Sequence, residues 1–306
     1  MLNKFHLTVL CFLLLPLNGF ALEPKEKLLM EKNSLYQYIA VTEDASNNER
    51  YLRNNKKGLI QGGISLNAPE KLLFEYTQMS FVSLAFLRMN PADVLFAGLG
   101  IGAMPGYMNR YYPEVNIDVV EIDTDIIQVA KEYFYFNENE KLKVHPGDAR
   151  QFIKRSKRKY DIIFLDAYQS DYIPFHLTTV EFLREVKSRL KENGVVVSNI
   201  LSPNRNKFFD SMIMTYKKAF PYLYIFKGKR SGNFIFVVTK SFDLKDKDGI
   251  EAAAGKLQAL KQFDIDLAET ASRFGYSMAY EWSGADILTD DFAPVNLYKY
   301  QDSEAK

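Results

Sequence analysis

Residues 94–102 read VLFAGLGIG, and the next apolar run, IDVVE, closes on Glu121, nineteen positions past Gly102. The segment 94–97 is short and wholly apolar, as a buried strand must be. Gly98, Gly100 and Gly102 allow a tight bend and let backbone approach a ligand that a Cβ would push away. An acid ending the following strand is placed to accept hydrogen bonds from a ribose diol. Together these features ask for an α/β sheet with a nucleoside site at the carboxyl ends of its strands. They do not choose between nicotinamide and S-adenosyl chemistry, since both use this geometry.

The rhythm downstream agrees. Apolar runs predict strands at 94–97, 117–121, 142–145, 162–165 and 195–200, and helical spacing predicts helices at 103–112, 124–134, 151–156, 180–190 and 208–220. Such alternation builds a mostly parallel sheet with helices on both faces. A final pair, 223–226 and 234–239, makes a hairpin, which departs from the dinucleotide pattern and suits adenosyl-cofactor transferases with their antiparallel last strand. Upstream, Asn54-Asn55-Lys56-Lys57-Gly58 is a turn signal between two strand-like segments. It places a small antiparallel unit at about 34–65, with one helix expected over 69–89. The expected fold is thus an α/β core over 69–245 that resembles the class I S-adenosylmethionine-dependent methyltransferase-like (Rossmann-like) fold. A small N-terminal β domain precedes it at 30–68. A C-terminal extension, 246–306, reads as helical over about 248–280 and closes at 285–298.

Lys4 and the mainly apolar stretch that follows to Leu17, with Ala21 as a small residue at a cleavage point, read as a secretory leader over 1–21. The expectation is an exported chain, periplasmic or secreted, or a membrane-anchored one if the leader is not cut. Cys11, the one cysteine, lies inside it. Lysines and arginines number 39 against 38 aspartates and glutamates, so no global field draws in nucleic acid, and the membrane is met only through the leader. The basic run 154–159 reads as the solvated end of a helix.

Three further acids fall at or just past strand ends. Asp148, followed by Ala149, can offer a carboxylate and a backbone N–H to the amino edge of an adenine. Asp166 closes DIIFLD, where a carboxylate points at the reacting centre, and Asp171 follows in the next loop. Taken singly, each can also be a helix cap or turn residue. A carboxylate near an amine substrate can orient it and accept its proton, while a tyrosine such as Tyr168 aligns the nitrogen. No Ser/His/Asp or Cys/His arrangement competes, and neither His145 nor His176 has a metal-ligand spacing. His145 reads as a strand-end residue, and His176 as one that caps or packs at the start of a helix, with a place facing the pocket as the alternative.

Gln61-Gly62-Gly63, Glu75-Tyr76, the glycine loop, VVEID at 119–123, GDAR at 147–150, YDIIFLDAY at 160–168, and Leu177 with Glu181-Phe182-Leu183 make a chain that resembles the spermidine synthase family of polyamine aminopropyltransferases, over roughly 50–240. The resemblance implies transfer of an aminopropyl group from decarboxylated S-adenosylmethionine to an amine such as putrescine, with release of methylthioadenosine. It implies no permanently bound cofactor, a small-molecule amine acceptor and a homodimer. Gln61 looks like the glutamine that contacts the thioadenosine, Glu121 the ribose acid, Asp148 the adenine-side aspartate, and Asp166 the base. Two positions depart from the family. Ile101 stands where the glycine loop usually carries the aspartate that holds the aminopropyl ammonium, and Gln169 where a second acid follows Asp166. Asp290 and Asp291 are candidates to substitute. Two other functions stay open: a methyltransferase using intact S-adenosylmethionine, for which Ile101 is permissive, and a noncatalytic exported nucleoside- or polyamine-binding protein.

Overall fold

Four consecutive strands open the computed structural model, which describes residues 26–54, 60–167, 173–241, 245–276 and 285–292. β1 (Glu26–Asn33), β2 (Tyr38–Asp44), β3 (Glu49–Arg53) and β4 (Ile60–Ser65) pair antiparallel in that order. Ile39, Val41, Leu52 and Ile64 alternate onto one face and pack against Ile101, Ile126, Val129 and Phe134. The small sheet therefore sits on the glycine bend. Its extent differs from expectation at the start: β1 begins at Glu26, well before 34. As an edge strand it is mostly exposed, so no buried alternation marks it.

The helix expected over 69–89 is shorter and changes pitch. α1 (Glu75–Ser80) runs into a 3-10 turn over Phe81–Phe86. The Ser80 hydroxyl donates to the Tyr76 carbonyl at 2.9 Å and Ser83 to that of Ser80 at 2.8 Å, side-chain bonds that compete with the regular ladder. All six residues of the 3-10 turn are buried, so core packing rather than helical periodicity sets their positions.

The main unit follows as β5 (Asp93–Ala97), α2 (Ala103–Tyr111), β6 (Asn116–Glu121), α3 (Thr124–Tyr133), β7 (Leu142–Pro146), α4 (Ala149–Arg155), β8 (Tyr160–Leu165), α5 (Val180–Ser188), β9 (Leu190–Leu201), α6 (Phe209–Ala219), β10 (Tyr222–Lys227) and β11 (Asn233–Thr239). Then come α7 (Lys247–Lys261), α8 (Leu267–Ser272) and β12 (Phe274–Tyr276). The sheet order is β12-β10-β11-β9-β8-β5-β6-β7, parallel from β9 to β7 and antiparallel beyond it. Alternate residues feed two cores: Phe96 stacks on Phe164 at 4.4 Å on one face, while Leu95 and Ile163 join Phe182 and Ile213 on the other. Because β5 pairs with β6 on one side and β8 on the other, the chain order reverses there and leaves a crevice at the strand ends.

The tail is only partly the helical extension expected, since β12 ends it as an added strand beside β10. Residues 285–292 then strap across the far face. Leu288 is 1% exposed, its carbonyl accepts the Val180 N–H at 2.8 Å, and its own N–H donates to Thr215 at 2.9 Å.

The cellular placement drawn from the leader needs correction. For the membrane-anchored alternative, no helix among the described residues is long and apolar enough to cross a membrane. The leader itself lies outside the described residues.

Emptying the Leu288 site tests whether the strap is part of the cooperative fold. Leu288→Ala should lower the unfolding free energy by about 2–4 kcal/mol in urea titration, and a loss below about 1 kcal/mol would show that it is not.

Candidate active site

The cavity at the switch point has a volume of about 710 Å³ and is walled by both sheets. Its floor is the glycine bend, where Gly98, Gly100 and Gly102 have φ of 105°, 55° and 79°. The three do different jobs. A Cβ on Gly98 would lie 2.4 Å from the Asp166 carbonyl oxygen, and one on Gly102 would lie 2.3 Å from the Phe136 ring. A Cβ on Gly100 would meet nothing within 4 Å. Two glycines thus permit close packing of protein on protein, and only Gly100 keeps backbone open towards the cavity.

Glu121 ends β6 on the cavity wall. One carboxylate oxygen accepts the Leu99 N–H at 3.0 Å and the other the Asp123 N–H at 2.9 Å, so the group is aimed while each oxygen keeps a lone pair. Burial pushes its carboxyl above the ordinary range, against the opposing effect of those N–H bonds.

Asp148 fills one of the roles weighed for it from the sequence, that of a helix cap. It caps α4 by accepting the Gln151 N–H at 2.8 Å, and its other oxygen meets His176 Nε2 at 2.8 Å. The His176 bond holds the Asp148 carboxyl below the usual range. His176 itself faces the cavity beside Asp148, the second of its two readings from the sequence. Ala149 lines the cavity behind it.

Asp166 follows β8 directly beneath the glycine bend. Burial pushes its carboxyl from 3.8 up to about 7, with a 2.9 Å bond from Asn199 Nδ2 pulling the other way. Gln61 reaches the same cavity from β4, and its Oε1 is buried without a hydrogen-bond partner among the described residues. Gln37 Oε1, from the turn between β1 and β2, is in the same condition. Buried acceptors left unpaired by protein are what a ligand's donors would satisfy.

Ile101 is buried among Ile39, Val41, Leu52 and Ile64, and lies 3.0 Å from where a Gly62 Cβ would be. Asp290 does not replace the missing acid. Its oxygens take two bonds from Arg150, at 2.7 and 2.6 Å, and one from Thr179, and neither it nor the exposed Asp291 lines the cavity. Tyr168, Gln169 and Asp171 lie outside the described residues.

Sequence reasoning passed over Gln37, Asn199 and Asn233. Asn199 had a signal, as a polar residue inside the otherwise apolar run VVVSNIL. Glu75 looks like another cavity acid but is committed to structure. Burial opposes its ionisation, yet three N–H bonds from Lys229, Arg230 and Ser231 bring it down to about 2, and Arg273 pairs with it at 2.6 Å.

A spermine/spermidine synthase domain model matches residues 53–228. The polyamine aminopropyltransferase of Vibrio vulnificus (strain CMCP6) is 36% identical over 300 residues, covering 95% of this chain and 96% of the relative. A solved spermidine synthase in complex with the transition-state analogue AdoDATO aligns with TM-score 0.67 at 19% identity, over 81% of this chain and 85% of its own. Human methyltransferase-like protein 13, in complex with SAH, aligns with TM-score 0.53 at 26% identity, over 68% of this chain and 97% of its own. The α/β fold, a small N-terminal sheet before a larger mixed one, is that of the spermidine synthase structures.

Two outcomes follow from this geometry. Gly98→Ala should cost more than about 2 kcal/mol of stability in urea titration because its Cβ strikes backbone, while Gly100→Ala should cost only about 1 kcal/mol. The unfolded chain releases the Asp166 proton near 3.8 and the folded chain near 7, so stability falls as pH rises through that window and the loss is complete above it. Asp166→Asn should therefore gain on the wild type in melting temperature between about pH 4 and 7, and a gap independent of pH would refute the shift.

Proposed function

The chain belongs to the spermine/spermidine synthase family and is a transferase of that superfamily, and on this premise we propose that it moves an aminopropyl group from decarboxylated S-adenosylmethionine to a polyamine or related amine. The observation that carries the reading is the position of Asp166, at the reversal of strand order, sharing one cavity with Gln61, Glu121, Asp148 and Ala149. Glu121 accepts from the ribose hydroxyls, and Gly100 admits the nucleoside against the backbone. Asp148 with the Ala149 N–H meets the adenine edge, and the unpaired oxygens of Gln37 and Gln61 suit donors of the same ligand.

The chemistry asks little more than alignment and a proton acceptor. The acceptor nitrogen attacks the carbon next to the sulfonium, the C–S bond breaks, and its electron pair stays on sulfur as methylthioadenosine leaves. The proton shed by the attacking nitrogen goes to Asp166. A carboxylate titrating near 7 suits that task better than an ordinary one, because it binds the proton well yet is substantially ionised at neutral pH. Tyr168 and Asp171 complete the proposal as residues that align the amine.

One observation favours a second reading. Ile101, seated in an apolar cluster, gives the aminopropyl ammonium no ion-pair partner. Intact S-adenosylmethionine, used for methyl transfer, would not need that acid.

Calorimetry against decarboxylated S-adenosylmethionine, S-adenosylmethionine and methylthioadenosine separates the two readings, with tighter binding of the decarboxylated form expected. A preference of about tenfold or more for the intact form would transfer the proposal to methyl transfer. Asp166→Asn should reduce methylthioadenosine release by about 10²–10⁴-fold with cosubstrate affinity retained, and undiminished release would remove Asp166 from the chemistry.

A further inference from the structure

Asp166 is not held by one neighbour alone. Asn233, the first residue of β11, donates from Nδ2 to Asn199 Oδ1 at 2.7 Å, and Asn199 donates from its own Nδ2 to Asp166 Oδ1 at 2.9 Å. All three line the cavity. The register of β9 against β11 sets Asn199 opposite Ile235, so Asn233 is its diagonal neighbour on the same face.

A carboxamide has two unlike ends, an oxygen that accepts and a nitrogen that donates. An ionised Asp166 can only accept, so Asn199 must turn its nitrogen to it and its oxygen to Asn233. Asn233 must then present its own nitrogen. The chain of bonds has one consistent direction, and its far end is Asn233. If Asn199 turned over, an oxygen would face the carboxylate, and only a protonated Asp166 could make that contact. In the observed direction Oδ1 of Asp166 is engaged, while Oδ2 has no hydrogen-bond partner among the described residues.

We infer that Asn233 is a positioning residue for the transfer step: acting through Asn199, it holds the Asp166 carboxylate ionised and turned so that Oδ2 receives the proton of the attacking amine. The inference rests on the reading of Asp166 as the base. The other charged groups on the cavity wall are engaged elsewhere or stand at its mouth. Glu121 is bound by backbone N–H groups, Asp123 accepts from Ser34, Asp148 pairs with His176 and Glu75 with Arg273, and exposed Arg205 lies at the mouth. The orientation of Asp166 among the described residues is therefore set by two neutral amides.

Asn233→Asp reverses the direction of the chain, since a carboxylate there accepts from Asn199 and turns its oxygen towards Asp166. Asn233→Ala removes one of the groups that hold Asn199, and Asn199→Ala removes the donor itself. The ionisation midpoint of Asp166 is read in each background from the pH dependence of melting temperature, wild-type position 166 against Asp166→Asn. The acid limb of kcat/KM is read from methylthioadenosine release with decarboxylated S-adenosylmethionine and putrescine. The expected result is a midpoint raised by about one unit or more in Asn233→Asp and Asn199→Ala, and by less in Asn233→Ala. The acid limb should move by the same amount, and methylthioadenosine affinity should stay within about threefold. Unmoved midpoints in whichever of these variants fold would overturn the inference. Midpoints that move while the acid limb stays would instead sink Asp166 as the base, leaving the hydrogen-bond chain without a part in transfer.

Discussion

The backbone of β5 meets the end of β8 with no room between them. Gly98 lies so close to the Asp166 carbonyl that any side chain would strike it, and the Asp166 N–H donates to the Ala97 carbonyl at 2.9 Å. Parallel strands normally diverge into separate loops at their ends. Here the loops stay in contact for one more residue each, which sets the glycine bend directly above the carboxylate. The second tight point, Gly102 on Phe136, fixes where the bend becomes α2. Gly100 is held between them with open space before it. The cavity opens beside these contacts, with Gly98 and Gly100 in its lining.

Five acids line that cavity, and their surroundings separate them. Glu121 and Glu75 take backbone N–H bonds, Asp123 caps α3, and Asp148 takes an imidazole. Among the described residues Asp166 has a single neutral amide. Burial raises the carboxyl pKa wherever hydrogen bonds and opposite charge fail to compensate, which raises both Glu121 and Asp166, the latter to about 7. Glu75 at about 2 shows the opposite limit, with three N–H groups and a guanidinium around one carboxylate. Identical functional groups thus come to differ in proton affinity through their burial and the number of donors each one meets.

The tail strap serves the site indirectly. Arg150 follows Ala149 by one residue, is almost wholly buried, and binds Glu185, Asp290 and the His176 carbonyl at once. It ties together α4, α5, the strap and the turn carrying the imidazole that meets Asp148. Asp290 is therefore an element of rigidity. Its loss would leave a buried guanidinium with one carboxylate fewer, a costly condition in the interior.

Local pattern alone determined the strand–helix alternation, the glycine bend, and the placing of Glu121, Asp148 and Asp166 at strand ends. Each of these rests on neighbours within a few residues, where apolar period and glycine spacing carry the information. Only the tertiary structure decided the rest: that β1 pairs as an exposed edge, that Ser80 and Ser83 break the helical ladder, that His176 faces Asp148, and that Asp290 belongs to Arg150. Asn199 and Asn233 are 34 positions apart and Asp290 and Arg150 are 140, so no short window holds both partners. The proton affinity of Asp166 has the same origin. It depends on how much water the fold removes and how few donors it supplies in return, and both are properties of the packed molecule.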